Sequence, residues 1–131
     1  MEWVKIAGTS FDVVVVDVER NFNILYSENT GRTLAVGAPV TLDPLGTFYG
    51  HKVTFKRKQG YEQVFDDLWE LLSKPRYSGI MVDIVYGQDT MNYEAYVSSG
   101  SQKLNHIGKD GKVYWDSFQV NFIPVKAQVT P

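Results

Sequence analysis

The amino-acid sequence predicts a mostly β fold with one α-helix, and two observations support this. Aromatic residues make up 14% of the chain, and β-branched runs are separated by Gly, Asn, Asp and Pro, as is typical of strands joined by turns. Apolar residues have convincing helical spacing over one segment, residues 61–73. The length of 131 residues suits one folding unit, so we predict a single domain over residues 1–131.

Four strands and one long loop are predicted for the first half of the chain. A hairpin joins residues 3–6 to residues 11–18, a further strand covers residues 21–26, and residues 48–58 alternate between apolar and polar side chains. Between the last two strands, residues 27–46 contain closely spaced turn signals that break any period. A loop of this length is uncommon inside a compact domain, so we expect it to be functional or ordered by a partner.

The predicted helix carries an apolar stripe on one side. We expect this stripe to pack on the sheet and to form a helix–sheet core of Phe65, Leu68, Trp69 and Leu72. The carboxylates on the other side are Asp66, Asp67 and Glu70. A solvated helix face with ordinary pKa values is the favoured interpretation of these acids, over a catalytic pair or a divalent-ion site. Pro75 is expected to end the helix.

The sequence of the second half of the chain predicts one hairpin and a final strand. Residues 80–86 and 91–97 alternate around a turn that contains Gly87, and residues 98–101 are expected to be flexible. The final strand, residues 112–123, changes phase near Asp116 and Ser117, so we predict a β-bulge there. We interpret the tail after Pro124 as an exposed or partner-bound end.

The composition excludes several kinds of functional site. The chain has no Cys, which excludes disulfides, thiolate metal sites and Cys nucleophiles. His51 and His106 lie in unrelated contexts, with no partner at catalytic or metal-ligand spacing, and no phosphate-loop or dinucleotide motif occurs. We therefore expect no catalytic site, no cofactor, no metal and no small-molecule substrate.

Net charge and hydropathy argue against nucleic-acid and membrane partners. The formal charge is −2, and the longest apolar run, Val13 to Val16, is far shorter than the roughly 20 residues that span a bilayer. The one basic concentration, residues 51–58, places Lys52, Lys56 and Lys58 on an outer strand face. These lysines either contact phosphates or protect an edge strand from foreign pairing, and the second interpretation is favoured.

Several segments resemble small structural proteins of long-tailed bacteriophages. The residues that carry this resemblance are the sequence from Tyr26 to Thr33, the sequence from Leu42 to Thr54, the helix, and the closing strand from Asp110 to Phe122. The order of elements is similar to that of the tail and baseplate group related to tail-tube and distal-tail proteins. The resemblance spans most of the chain. No second domain is evident, so we carry over no receptor or sugar site.

The resemblance implies a tail-tube-like fold, in which an antiparallel β-sandwich or split barrel has a single helix against its flank. It also implies a ring of six copies around a channel that passes DNA without sequence-specific binding. A long protruding loop, at about residues 28–46, would then reach the adjacent subunit or the next ring. The predicted inter-subunit contacts are Asn29, Thr30, Arg32, Leu34, Val36, Leu42 and Leu45.

These observations lead to two hypotheses of function. The first is a non-enzymatic subunit of a bacteriophage tail or baseplate, made in the host bacterial cytoplasm and located in the virion, with copies of itself and other tail or baseplate proteins as partners. The second is a monomeric carbohydrate- or protein-binding β-domain. Its recognition patch would consist of exposed tyrosines, namely Tyr49, Tyr93, Tyr96 and Tyr114.

Overall fold

The computed structural model describes residues 3–28, 31–32, 37 and 40–131 of the chain. These residues form eight strands and one helix, which confirms the predicted mostly β fold with a single α-helix. In chain order the elements are β1 (Val4–Ile6), β2 (Val13–Tyr26), β3 (Gly31–Arg32), β4 (Val40–Thr41), β5 (Pro44–Arg57), α1 (Glu62–Ser73), β6 (Ile80–Tyr86), β7 (Asp89–Ile107) and β8 (Val113–Pro124).

Six strands form one antiparallel sheet in the order β1-β6-β7-β8-β5-β2, and β3 pairs with β4 in a separate two-stranded sheet. The sheet is strongly curled. This follows from a contact across it: the imidazole of His51 on β5 reaches the backbone oxygen of Val85 on β6, although β8 and β7 lie between these two strands in the sheet. The edge strands β1 and β2 also line one cavity of about 190 Å³. This arrangement matches the split-barrel alternative, since the described residues form no second large sheet.

The core fills the concave face of the curled sheet. Its largest side chains from the central strands are Phe55, Phe118 and Phe122, and the β5–β8 register places Phe55 directly opposite Phe118. The helix adds Phe65, whose ring meets Phe118 edge to face with the centroids 6.3 Å apart. Aromatic pairs at this separation are favourable beyond their buried area. The helix therefore covers the concave face at Phe118.

The predicted helix–sheet core is buried at three of its four positions. Phe65, Leu68 and Leu72 are buried, whereas Trp69 is only partly so. The Trp69 ring packs against Phe118, with centroids 5.2 Å apart, and it also lines an open groove. Trp69 thus lies at the border of the core.

The helix begins one residue later than predicted, at Glu62, and ends at Ser73 as predicted. Tyr61 occupies the N-cap without a side-chain capping bond. At the other end Lys74 has extended backbone angles. Pro75 explains this change, because a proline disfavours helical backbone at the residue before it.

The bulge predicted near Asp116 and Ser117 is confirmed. Gln102 pairs with Phe118 and Leu104 pairs with Trp115, so β8 has one more residue than β7 in this interval. The extra residue restores the phase of the apolar side chains on either side of it.

The prediction of a flexible segment at residues 98–101 was wrong. These residues belong to β7, which continues to Ile107 with an irregularity between Val97 and Gly100. A Cβ atom on Gly100 would lie 3.1 Å from the Phe118 ring, so glycine lets the strand approach β8 closely. The long partner strand overrides the weak local preference of a Ser- and Gly-rich sequence.

The strands predicted at residues 11–18 and 21–26 are one continuous strand, β2, which begins at Val13. The register with β5 shifts between Val15 and Asp17, and this bulge keeps Val13, Val15 and Val18 on the concave face. Strand β5 begins at Pro44, so the loop is shorter than the predicted residues 27–46. Within this loop, β3 and β4 form a small two-stranded sheet.

The tail after Pro124 was interpreted as exposed or partner-bound, and this was wrong for its middle part. The Gln128 side chain accepts from the backbone N–H of Tyr49 and donates to its backbone oxygen, at 3.0 and 2.9 Å. Val129 forms an isolated bridge with Thr47. Gly46 makes room for this contact, because a Cβ atom there would lie 2.7 Å from that of Ala127. The tail therefore follows β5 beyond the end of β8.

Candidate assembly surface

Strand β2 is the outer edge of the sheet and is exposed along most of its length. It pairs with β5 on one side, and among the described residues no strand pairs with its other side. Only Val13 and Val18 are partly buried. Its exposed large apolar residues are Val14, Val15, Val16, Phe22, Ile24, Leu25 and Tyr26. An exposed apolar edge strand of this length is unusual in a monomeric protein, since its backbone and side chains are both open to pairing.

The two faces of β2 differ in character, because the concave face carries apolar side chains and Arg20, whereas the acidic side chains lie on the opposite face. Phe22 and Ile24 pair with Tyr49 and Thr47, and strand alternation places them on the concave side with Val18. Phe22 is 66% exposed, so the core does not extend to it. The polar side chains of the opposite face are Asp17, Glu19, Asn21 and Asn23. The concave side of β2 therefore continues the core face into solvent.

The far half of the β2–β5 hairpin projects beyond the rest of the sheet. Strand β8 pairs with β5 only as far as His51, whereas β2 follows β5 down to Pro44. The seven residues of β5 that only β2 accompanies, residues 44–50, correspond to a strand length of about 23 Å at roughly 3.3 Å per residue. Apart from the tail bridge at Thr47, the described residues give this segment no further strand partner. We call residues 21–26 with residues 44–50 the ribbon, and residues 27–43 its tip.

The predicted inter-subunit contacts lie at the tip or at its base. Leu42 is 64% exposed and Leu45 is 55% exposed. Leu45 is the extra residue of a second β2–β5 bulge, between the pairs Leu25–Gly46 and Tyr26–Pro44. Arg32 belongs to β3 and pairs with Val40. The other predicted contacts lie outside the described residues: Asn29, Thr30, Leu34 and Val36. Contact with a neighbouring subunit stays a prediction for all seven.

At the base of the ribbon, His51 forms a buried polar network. Its Nε2 lies 3.1 Å from the backbone oxygen of Val85, and its Nδ1 lies 2.8 Å from the hydroxyl of Tyr93. The carbonyl of Val85 can only accept, so Nε2 donates to it, and in the neutral imidazole Nδ1 then accepts a hydrogen bond from the Tyr93 hydroxyl. Burial lowers the pKa of His51 below its usual range, the bond to Val85 opposes this, and the charge of Arg20 adds to it. Burial also raises the pKa of Tyr93.

The network links β5 to β6 and β7, and Arg20 links β2 to β6 beside it. The Arg20 guanidinium lies 5.2 Å from the centroid of the Tyr86 ring, a cation–π distance. Tyr86 in turn meets Tyr49 edge to face, with centroids 5.4 Å apart. These contacts hold the base of the ribbon against the curled sheet. Sequence reasoning missed them, because His51 carries no motif and its partners are distant in the chain.

The four tyrosines predicted as a recognition patch do not share one surface. Tyr93 is buried and faces the core, whereas Tyr96 lies three residues further along β7 and faces outward. Tyr49 packs on Tyr86 at the base of the ribbon. Tyr114 stacks on His106 in the β7–β8 hairpin, with centroids 4.7 Å apart. No single ligand would contact all four.

A groove lies between the end of α1 and β7. Strand β6 pairs with β7 only up to the pair Ile80–Ala95, so among the described residues no strand covers this edge of β7 beyond Ala95. The groove encloses about 520 Å³, and its floor includes Trp69, Val97 and Phe118. Its two charged lining residues, Lys74 and Arg76, are both cations and both exposed. We call this site the α1–β7 groove.

The charged groups singled out in the sequence occupy ordinary surface positions, with one exception. Lys52 and Lys56 face outward on β5. Glu19 on β2 pairs directly with Lys52, so its negative charge offsets part of the positive charge of the basic run. Lys58 lies beyond β5, with its Nζ 5.1 Å from the Tyr61 ring centroid. The exception is Asp66, which is half-buried. Burial raises its pKa, and the charges of Asp67 and Glu70 add to this, so the expectation of ordinary pKa values fails at Asp66.

Comparisons with known proteins add no family assignment. No protein-family model matches the chain, and no curated protein is similar to it. In the part of the chain that the structure describes, no three His, Cys, Asp or Glu side chains are grouped so as to hold a metal ion. The one helix described is too short to cross a membrane.

Proposed function

We propose that this protein is a structural subunit that assembles with copies of itself into a ring, as in a bacteriophage tail or baseplate. The observation that carries the proposal is the exposed apolar edge of β2, together with the ribbon that continues it. Exposed apolar side chains on an unpaired strand edge favour association, because both the side chains and the backbone groups gain partners in a complex.

The shape of the subunit favours a closed ring over a simple pair. The ribbon projects on one side of the curled sheet, whereas the α1–β7 groove lies on another element, at the border of the core. Contacts between two different surfaces of identical subunits are heterologous, and such contacts close into rings when the rotation between subunits permits. In this proposal the ring surrounds a DNA channel, and other tail or baseplate proteins bind its two faces.

The proposal is tested by the mass of the purified protein in solution. Light scattering of the wild-type chain over a range of concentrations is expected to show a discrete higher oligomer. Phe22→Lys is expected to give a folded monomer, because it puts a charge on the apolar strip without touching the core. Asn23→Lys, which changes the neighbouring position on the opposite face, is the matched control and should still assemble. A strictly monomeric wild-type chain, alone and with tail proteins of the same virus, would contradict the proposal.

A further inference from the structure

We infer that the α1–β7 groove is the acceptor site for the tip and the adjoining end of the ribbon of a neighbouring copy, with Leu42 of the tip and Leu45 of the ribbon entering the groove. The inference rests on the proposed function and names the two surfaces that meet. Both leucines are exposed in the single chain, where no other part of the described structure covers them. The groove offers an apolar floor and an uncovered strand edge, the two features that bind an extended segment by strand addition.

Charge complementarity supports this choice of occupant. Among the described residues, the charged groups that line the groove are Lys74 and Arg76, and none is acidic. The tip carries Glu28 and Asp43 against one cation, Arg32, so its net charge is −1. Opposite charges on facing surfaces favour the correct encounter and oppose a reversed one. A tip of the same charge as the groove would be repelled.

The length of the ribbon explains why the tip meets another copy. Val97 in the groove pairs with Phe122, and Phe122 pairs with His51, so these three residues form one row across the sheet. Pro44, the ribbon residue next to the tip, lies about 23 Å along β5 from that row at roughly 3.3 Å per residue. This distance exceeds the radius of gyration of the subunit, which is about 14 Å by the usual scaling. A tip so far from its own groove is placed to reach the next subunit.

Cysteine cross-linking tests the contact directly, because the natural chain contains no Cys. Two single variants, Leu42→Cys and Ser99→Cys, are mixed, allowed to assemble and oxidised. Ser99 lines the groove and is exposed. The expected product is a disulfide-linked dimer that contains one chain of each kind. The matched control replaces Ser99→Cys by Asn121→Cys, an exposed position on the convex face of β8, and should give no linked dimer.

Charge reversal provides an independent test in the full-length chain. We expect Glu28→Lys, and separately Lys74→Glu with Arg76→Glu, to raise the concentration needed for half-assembly by about tenfold or more at low salt. The chain that combines all three substitutions is expected to assemble again, because the facing charges are opposite once more. Glu28 is chosen over Asp43 because Asp43 accepts a hydrogen bond from Ser27 within the tip.

The outcomes separate the inference from the proposed function. If the wild-type chain assembles and the groove variants assemble equally well, or if Asn121→Cys links as efficiently as Ser99→Cys, the inference is wrong and the ring proposal stands. If the wild-type chain never assembles, both are wrong. A heterotypic disulfide together with charge-reversal rescue supports both.

Discussion

The two halves of the β2–β5 hairpin share one strand pairing and have opposite surroundings. Phe55 and Phe22 both project from the concave side, yet Phe55 is 1% exposed and Phe22 is 66% exposed. The difference lies in what covers them, because α1 packs over the half that holds Phe55 and β8 pairs with it, whereas among the described residues the ribbon gains only the tail bridge as a further strand contact. The comparison shows that the same strand pattern builds a core in one place and leaves an open surface in another.

This contrast predicts that truncation in the covered half has the largest effect on stability. Phe118→Ala should lower the free energy of unfolding by about 3–5 kcal/mol, because it leaves a cavity where Phe55, Phe65 and Trp69 meet. Chemical denaturation followed by tryptophan fluorescence measures the loss. Met81→Ala, on the outward face of β6, is the control and should change the free energy by less than about 0.5 kcal/mol. A loss of similar size at both positions would contradict the assignment of the core.

An intermediate effect is predicted at the base of the ribbon, where the two halves meet. His51→Gln should cost about 1–3 kcal/mol at pH 7, because it disturbs buried hydrogen bonds to Val85 and Tyr93. The wild-type protein should also lose stability as the pH falls below about 6.5, the usual pKa of histidine. Burial lowers the pKa of His51 in the folded state, so the unfolded chain binds the additional proton first and is favoured.

Denaturation curves between pH 7.5 and pH 5 measure this dependence in three proteins. The wild-type chain should lose stability on acidification. His106→Gln is the control and should lose as much, because His106 is exposed in the β7–β8 hairpin and does not belong to the buried network. His51→Gln should lack the part of the loss that comes from His51. Parallel curves for the wild-type chain and His51→Gln would show that His51 is not buried as a neutral imidazole.

The smallest effect on stability is predicted for loss of the tip. Deletion of residues 30–44 should leave a folded chain with nearly unchanged unfolding free energy, because the buried residues lie elsewhere in the described structure. Assembly should nevertheless be lost, since the deletion removes the tip and Leu42. Circular dichroism and light scattering test the two parts of this prediction. An unfolded deletion variant would place the removed segment in the core and would reverse the comparison between the two halves.

Much of the fold was predictable because its signals are local. The helix is marked by the spacing of Phe65, Leu68 and Leu72 and by Pro75 after it, and these signals require no knowledge of distant residues. The bulge at Asp116 and Ser117 was predictable for the same reason, since a change of phase is visible within one strand. The errors occurred at residues 98–101 and in the tail, where distant strands supply the hydrogen-bond partners.

The sequence by itself determined the mostly β class, the single helix and the absence of thiol chemistry, because composition and periodicity are properties of short segments. The tertiary structure alone decided that the sheet curls, that His51 meets Val85 and Tyr93, and that Phe22 stays uncovered while Phe55 is buried. Each of these depends on pairing between segments distant in the chain. The sequence shows that a side chain is apolar, but only the folded arrangement determines whether other residues cover that side chain.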